Sequence, residues 1–136
     1  MSVRSDKRNE SSLEFLNTAH ELEKLTMTLT LRESAIPKRY RYILGQPLCE
    51  SARLINKYIV YANSIFPKTQ EEYEMRKRYQ KQARIELFNY SELMRLATEL
   101  LPIKGGVIEE WTTLERREEI VLKRWMESDR QRFKDL

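Results

Sequence analysis

The sequence predicts an all-α protein, an antiparallel up-down four-helix bundle, from three observations. Leu48, Ala52, Ile55, Ile59, Ala62 and Phe66 recur at spacings of 4, 3, 4, 3 and 4, the seam of a helix packed along its length against others. Three glycines and four prolines are too few for the turns of a sheet protein. A 34% charged share beside 40% hydrophobic residues suits long helices with solvated outer faces. The chain has 136 residues, which favours one domain that buries about two-thirds of its unfolded surface.

Residues 1–11 mix charge and serine without periodicity and read as a disordered arm. The bundle is expected over 12–128. Its first helix runs near 12–33, with Ser11 or Ser12 as N-cap and Glu14 in the first turn, where an acid suits the helix dipole. Phe15, Ala19, Leu22 and Leu29 form its buried stripe. Thr26, Thr28 and Thr30 are poor helix formers, and the alternation of their tract leaves a strand as the local alternative.

Ser34 to Pro37 breaks the chain, and Pro37 suits the first turn of the next helix. Pro47 removes a hydrogen bond ten residues further on, so either a kink at Gly45–Pro47 or a short separate helix is expected. Pro67 closes the second helix. Thr69 with Glu72 has capping-box spacing at the start of the third, which runs from 70 to 101. Tyr73, Ala83, Leu87, Tyr90, Met94, Ala97 and Leu101 make its seam, with Arg76 and Gln80 filling two positions near the start. Pro102 stops it, and Gly105-Gly106 reads as a hinge. The fourth helix spans 107–128 on Val107, Trp111, Leu114, Val121 and Trp125, interrupted by Glu118. Residues 129–136 are expected to fray.

Charge is concentrated. Between Ile36 and Ile65 lie Lys38, Arg39, Arg41, Arg53 and Lys57 against Glu50 alone, an excess of +4 that equals the net charge of the whole protein. Lys38, Arg39 and Arg41 alternate with Tyr40 and Tyr42, a pattern that can hold phosphates and stack on bases; solvated cations around a core tyrosine are the bland alternative. A second basic run, Arg76, Lys77, Arg78, Lys81 and Arg84, is a weaker nucleic-acid signal. Glu71, Glu72 and Glu74 precede it and supply intrahelical pairs. Trp111 and Trp125 stand 14 residues apart on one side of a helix and read as core or as anchors of an oligomer or partner interface.

No catalytic constellation is present. His20 is the only histidine and Cys49 the only cysteine, so no internal disulfide can form and Cys/His metal-ligand spacing is absent; no Ser/His/Asp set and no glycine-rich phosphate loop is found. Neither a metal nor any other cofactor is expected. Cys49 reads as a small residue within helix packing. The polar N-terminus has no signal-peptide core, and no apolar run is long enough for a membrane, so a cytoplasmic protein is expected.

The start of the second helix, IPKRYRYILGQ, followed by a long apolar-periodic helix and two more helices, resembles a four-helix-bundle family. That family includes the 23S rRNA intervening-sequence proteins and the accessory variability proteins of diversity-generating retroelements. The resemblance spans roughly residues 12–128 and is sharpest over Ile36–Gln46. It implies a non-enzymatic accessory subunit that forms a homo-oligomeric ring, a pentamer in the retroelement branch. Such a subunit would bind a reverse transcriptase and RNA or DNA, and support cDNA synthesis in mutagenic homing. The matching basic positions are Lys38, Arg39 and Arg41; Arg53 and Lys57 join them on charge alone. Pro47 and the acid-rich fourth helix (Glu109, Glu110, Glu115, Glu118, Glu119) depart from a strongly basic ring. The competing expectation is a helical homo-oligomeric scaffold for protein partners, docking through a tryptophan or the polar start of the third helix. A small helix-turn-helix repressor is disfavoured by the length of the helices.

Overall fold

A computed structural model describes residues 13–136; the expected arm and the candidate caps Ser11 and Ser12 lie outside them. The described residues are helical with no strand, in four long helices: α1 (Glu14–Leu31), α2 (Gln46–Ser64), α3 (Gln70–Leu100) and α4 (Gly105–Arg132). Each helix packs against the next, and α4 returns to α1.

The threonine tract of α1 is helical. Thr26, Thr28 and Thr30 each donate a hydroxyl hydrogen bond to the carbonyl four residues back, at 2.6, 2.9 and 2.8 Å. Those bonds satisfy the hydroxyls inside a helix the residues otherwise disfavour.

Between α1 and α2 the chain makes a 3-10 turn, Lys38–Tyr40, and then one wide π turn, Arg41–Gly45. Pro47 falls in the first turn of α2, where its missing N–H leaves no gap. The π turn runs directly into α2: Gly45 and Gln46 are both right-handed helical, and the Gln46 N–H donates to Arg41 O across the join. Gly45 is required here: a β-carbon at this position would stand 2.6 Å from Thr30 Cγ2.

Three of the expected boundaries move. Helix α2 ends at Ser64, so Phe66 leaves the predicted seam and is 70% exposed. Gly105 and Gly106 open α4 instead of forming a hinge, because the first N–H groups of a helix need no intrahelical partner. At the other end α4 continues to Arg132, with Asp129 and Phe133 buried, so residues 129–133 do not fray. Asp129 accepts from Arg76 Nε at 2.6 Å and Nη2 at 2.9 Å, and from Gln80 Nε2 at 2.7 Å. The two polar residues in the α3 seam are thus partners of an acid 49 and 53 residues away.

The capping box opens α3 with a variation. Thr69 Oγ1 accepts from the Glu72 N–H at 3.2 Å, and the Glu72 carboxylate accepts from the Lys68 N–H at 2.9 Å. A second polar network ties three helices at mid-height. Tyr90 of α3 shares a 2.6 Å hydrogen bond with Thr26 of α1, and its oxygen accepts from Trp111 Nε1 of α4 at 2.7 Å. Burial pushes the Tyr90 phenol up to about 12, so it stays neutral and able to donate.

Candidate nucleic-acid interface

The basic residues predicted for nucleic acid do not form one surface. Lys38 and Arg39 are exposed on the 3-10 turn, with the Arg39 guanidinium over the Tyr40 ring at 5.1 Å. Arg41 turns back to the end of α1. Its Nε donates to Thr30 O at 2.9 Å and its Nη2 to Leu31 O at 3.1 Å, satisfying carbonyls that a helix end leaves open. On α2, Arg53 leans toward α1 and meets Glu23 at 3.4 Å, while Lys57 lies over Tyr61 at 5.5 Å. Arg41 and Arg53 therefore already have structural partners.

Arg76 is corrected outright. It is 4% exposed and locked by Asp129, with Nη1 donating to Ile65 O at 2.9 Å, so no phosphate can reach it. The two tryptophans are corrected as well. Trp111 is 1% exposed beneath Tyr90, and Trp125 is 7% exposed, stacked on Phe15 with ring centroids 3.8 Å apart. Both are packing residues, not anchors offered to a partner. Tryptophan is large and apolar, so a helix with one on each end of its stripe buries them first.

What remains of the second basic run acquires neighbours that the sequence hides. Helices α3 and α4 run in opposite directions: Ser91 meets Glu115 at 3.0 Å, while Gln80, earlier on α3, meets Asp129, later on α4. This register brings Arg84 and Phe88 of α3 together with Glu119 and Lys123 of α4 around a pocket of about 90 Å³. On α3, Lys77, Lys81, Arg84 and Phe88 follow spacings of 4, 3 and 4; on α4, Glu119, Lys123, Met126 and Arg130 do the same. Continuing the register sets Arg84 opposite Lys123 and Lys77 opposite Arg130, about 10 Å along the groove.

Arg84 and Lys123 line this groove from opposite helices, with Glu119 the one acid among the lining residues of the pocket. Among the described residues Lys81, Arg84, Lys123 and Arg130 form no ion pair, although Lys77 has one with Glu74 at 3.4 Å. The Arg84 guanidinium sits 5.9 Å from the Phe88 ring centre, and that ring is 59% exposed. Repelling pairs in a helix seam cost stability. An anion lying between them would relieve that cost. The aromatic ring adds a surface on which a base can stack. Arg78 is exposed but points away from this groove's spacing.

Lys123 and Arg130 are absent from the predicted set because α4 is acid-rich when read along the chain. The available signal was the 119/123/126/130 periodicity, which becomes meaningful only beside the matching stripe of α3.

One core residue has no account in packing. Glu118 is 0% exposed, and neither carboxylate oxygen has a hydrogen-bond partner among the described residues. Burial pushes its carboxyl up to about 8. It is seven residues from each tryptophan, at the middle of the α4 core stripe.

No protein-family model, no curated protein and no solved structure matches this chain. Among the described residues no helix is long and apolar enough to cross a membrane, and no group of three or more His, Cys, Asp or Glu side chains could hold a metal ion.

Proposed function

We propose that this protein is a non-enzymatic, nucleic-acid-binding helical module whose contact surface is the α3–α4 groove. One observation carries the reading: Arg84 and Lys123 line one pocket on the α3–α4 seam with Glu119 as its one acid, beside the exposed ring of Phe88, and neither cation forms an ion pair among the described residues. The scaffold is an antiparallel up-down four-helix bundle, supported by sequential helix contacts with α4 closing on α1. Lys38 and Arg39 form a second, smaller basic contact.

The finer reading is an accessory subunit of a retroelement reverse transcriptase that assembles as a cytoplasmic homo-oligomer. It rests on the likeness of Ile36–Gln46 to that family. A scaffold for protein partners is the second reading, favoured by the exposed apolar side chains of Leu31, Tyr42 and Ile43, at 71%, 83% and 65% exposure.

The test is fluorescence anisotropy of a labelled single-stranded RNA across a salt series. Four unpaired cations predict a log–log salt slope of about −3, since each phosphate contact on a single strand contributes roughly −0.7. The triple variant K81E/R84E/K123E should lose binding and flatten the slope. The variant K38E/R39E should weaken it less. Unchanged affinity in the triple variant rules out the groove, and a wild-type protein indifferent to RNA favours the scaffold.

A further inference from the structure

Three exposed side chains converge on a second cavity at the opposite edge of α4: Phe66, Arg124 and Arg132, the last with its guanidinium 5.1 Å from the Phe133 ring centre. Phe66 is 70% exposed, yet it is held on the turn that follows α2, next to the buried Pro67. The neighbouring Ile65 donates its N–H to Ala62 O at 3.2 Å and accepts from the Arg76 guanidinium at 2.9 Å, so the turn is anchored to the buried ion pair. Arg124 and Arg132 on α4 are exposed and have no ion-pair partner among the described residues. All three line a cleft of about 690 Å³ whose floor is the Phe15–Trp125 stack.

We propose that this cleft binds a nucleoside monophosphate. Its size lies within the range of small-molecule sites. The exposed ring of Phe66 offers an aromatic face for a base. Arg124, Ser128 and Arg132 repeat every four residues along α4, so two guanidiniums and a hydroxyl line one wall over about 12 Å. A guanidinium fork is matched to phosphate geometry. The one acid at the rim, Glu14, is already paired with Arg117 at 2.9 Å, which leaves the cleft with a positive excess. The first turn of α1 also enters it through Leu13, Glu14 and Phe15, adding the positive end of a helix dipole. A charged wall facing an aromatic one suits a ligand that is anionic at one end and flat at the other. Inorganic phosphate uses only the first wall and a nucleoside only the second.

The site is separate from the α3–α4 groove, and either can fail alone. The test is a calorimetric titration of the full chain with adenosine 5′-monophosphate, adenosine and inorganic phosphate at moderate salt. The nucleotide should bind at least roughly tenfold more tightly than either half, and Phe66→Ala should cost about five- to a hundredfold, the range for one lost stacking contact. R124Q/R132Q should abolish discrimination between nucleotide and nucleoside, while K81E/R84E/K123E leaves it intact. Circular dichroism establishes that each variant folds; Phe66 and both arginines are exposed, so folding should persist. A nucleotide that binds no better than phosphate overturns the proposal. So does a folded F66A variant with unchanged affinity.

Discussion

Replacing Glu118 by leucine should stabilise this protein, and the gain should grow with pH. The carboxyl is fully buried and has no hydrogen-bond partner among the described residues. No fully buried residue of α1 or α2 is titratable, and the half-buried titratable groups of α2 are Cys49, beside Thr30, and Tyr58, at the edge of the core. On α3 the buried titratable groups are Tyr73, Tyr90 and Arg76, the last committed to Asp129; on α4 they are Glu115 and Asp129. Desolvation therefore dominates, and it raises Glu118 from 4.5 to about 8. A carboxyl raised in the folded state keeps its proton there after the unfolded chain has lost it. Its relative stability is fully present below about pH 4.5 and falls as pH rises, with the loss complete above the folded value near 8. At about 1.4 kcal/mol per unit the loss is about 5 kcal/mol as an upper bound. That is comparable to the whole stability of a typical domain, about 5–15 kcal/mol. Urea unfolding followed by circular dichroism at about pH 5, 7 and 9 measures it. The E118L variant should exceed the wild type by about 1–3 kcal/mol at the lowest pH, for the unpaired neutral carboxyl, and by several more at the highest. Glu115, also raised by burial and partly relieved by its Ser91 hydrogen bond, should leave a smaller residual slope of the same sign. A wild type with flat stability between these pH values, or an E118L variant with the wild-type slope, would refute the reasoning.

Breaking the buried ion pair with Arg76→Ala should cost about 3–5 kcal/mol, because Asp129 would remain charged without its guanidinium; a thermal melt reads this directly. Tyr90→Phe removes the acceptor of Trp111 Nε1 and the partner of Thr26, and chemical unfolding should show a loss of about 1–3 kcal/mol for the unpaired buried donor. Gly45→Ala places a methyl group against Thr30, costing about 1–3 kcal/mol from overpacking; the double variant with Thr30→Ser, which deletes the opposing methyl, should recover much of that by the same melt. Opposite-charge substitution at Lys123 alone should weaken single-stranded RNA binding and reduce the salt slope by roughly 0.7, read by anisotropy.

Much of the fold was legible because helix periodicity is local. The 3/4 spacing of α2, the Thr69–Glu72 cap and the Pro67 and Pro102 stops each depend on residues within a turn or two. The threonine tract was ambiguous for the same reason: its neighbours along the chain permit a strand, and only hydroxyl bonds back along a packed helix make α1 continuous. Pro47 left a kink or a separate short helix open, and the chain instead joins the two through a π turn where Thr30 approaches Gly45, 15 residues away.

The sequence by itself determined that this protein is helical, where its long helices lie and which faces are apolar, because those properties follow from spacing along one chain. Tertiary structure decided what each charge is for. Arg76 and Asp129 are 53 residues apart, and nothing in their own segments distinguishes a core ion pair from two solvated ends. Arg84 and Lys123 look like parts of ordinary mixed-charge faces until an antiparallel register sets them against each other. Charge acts through space, and its environment is set by whichever helix packs alongside. The role of a cation therefore becomes readable only when the register between helices is known.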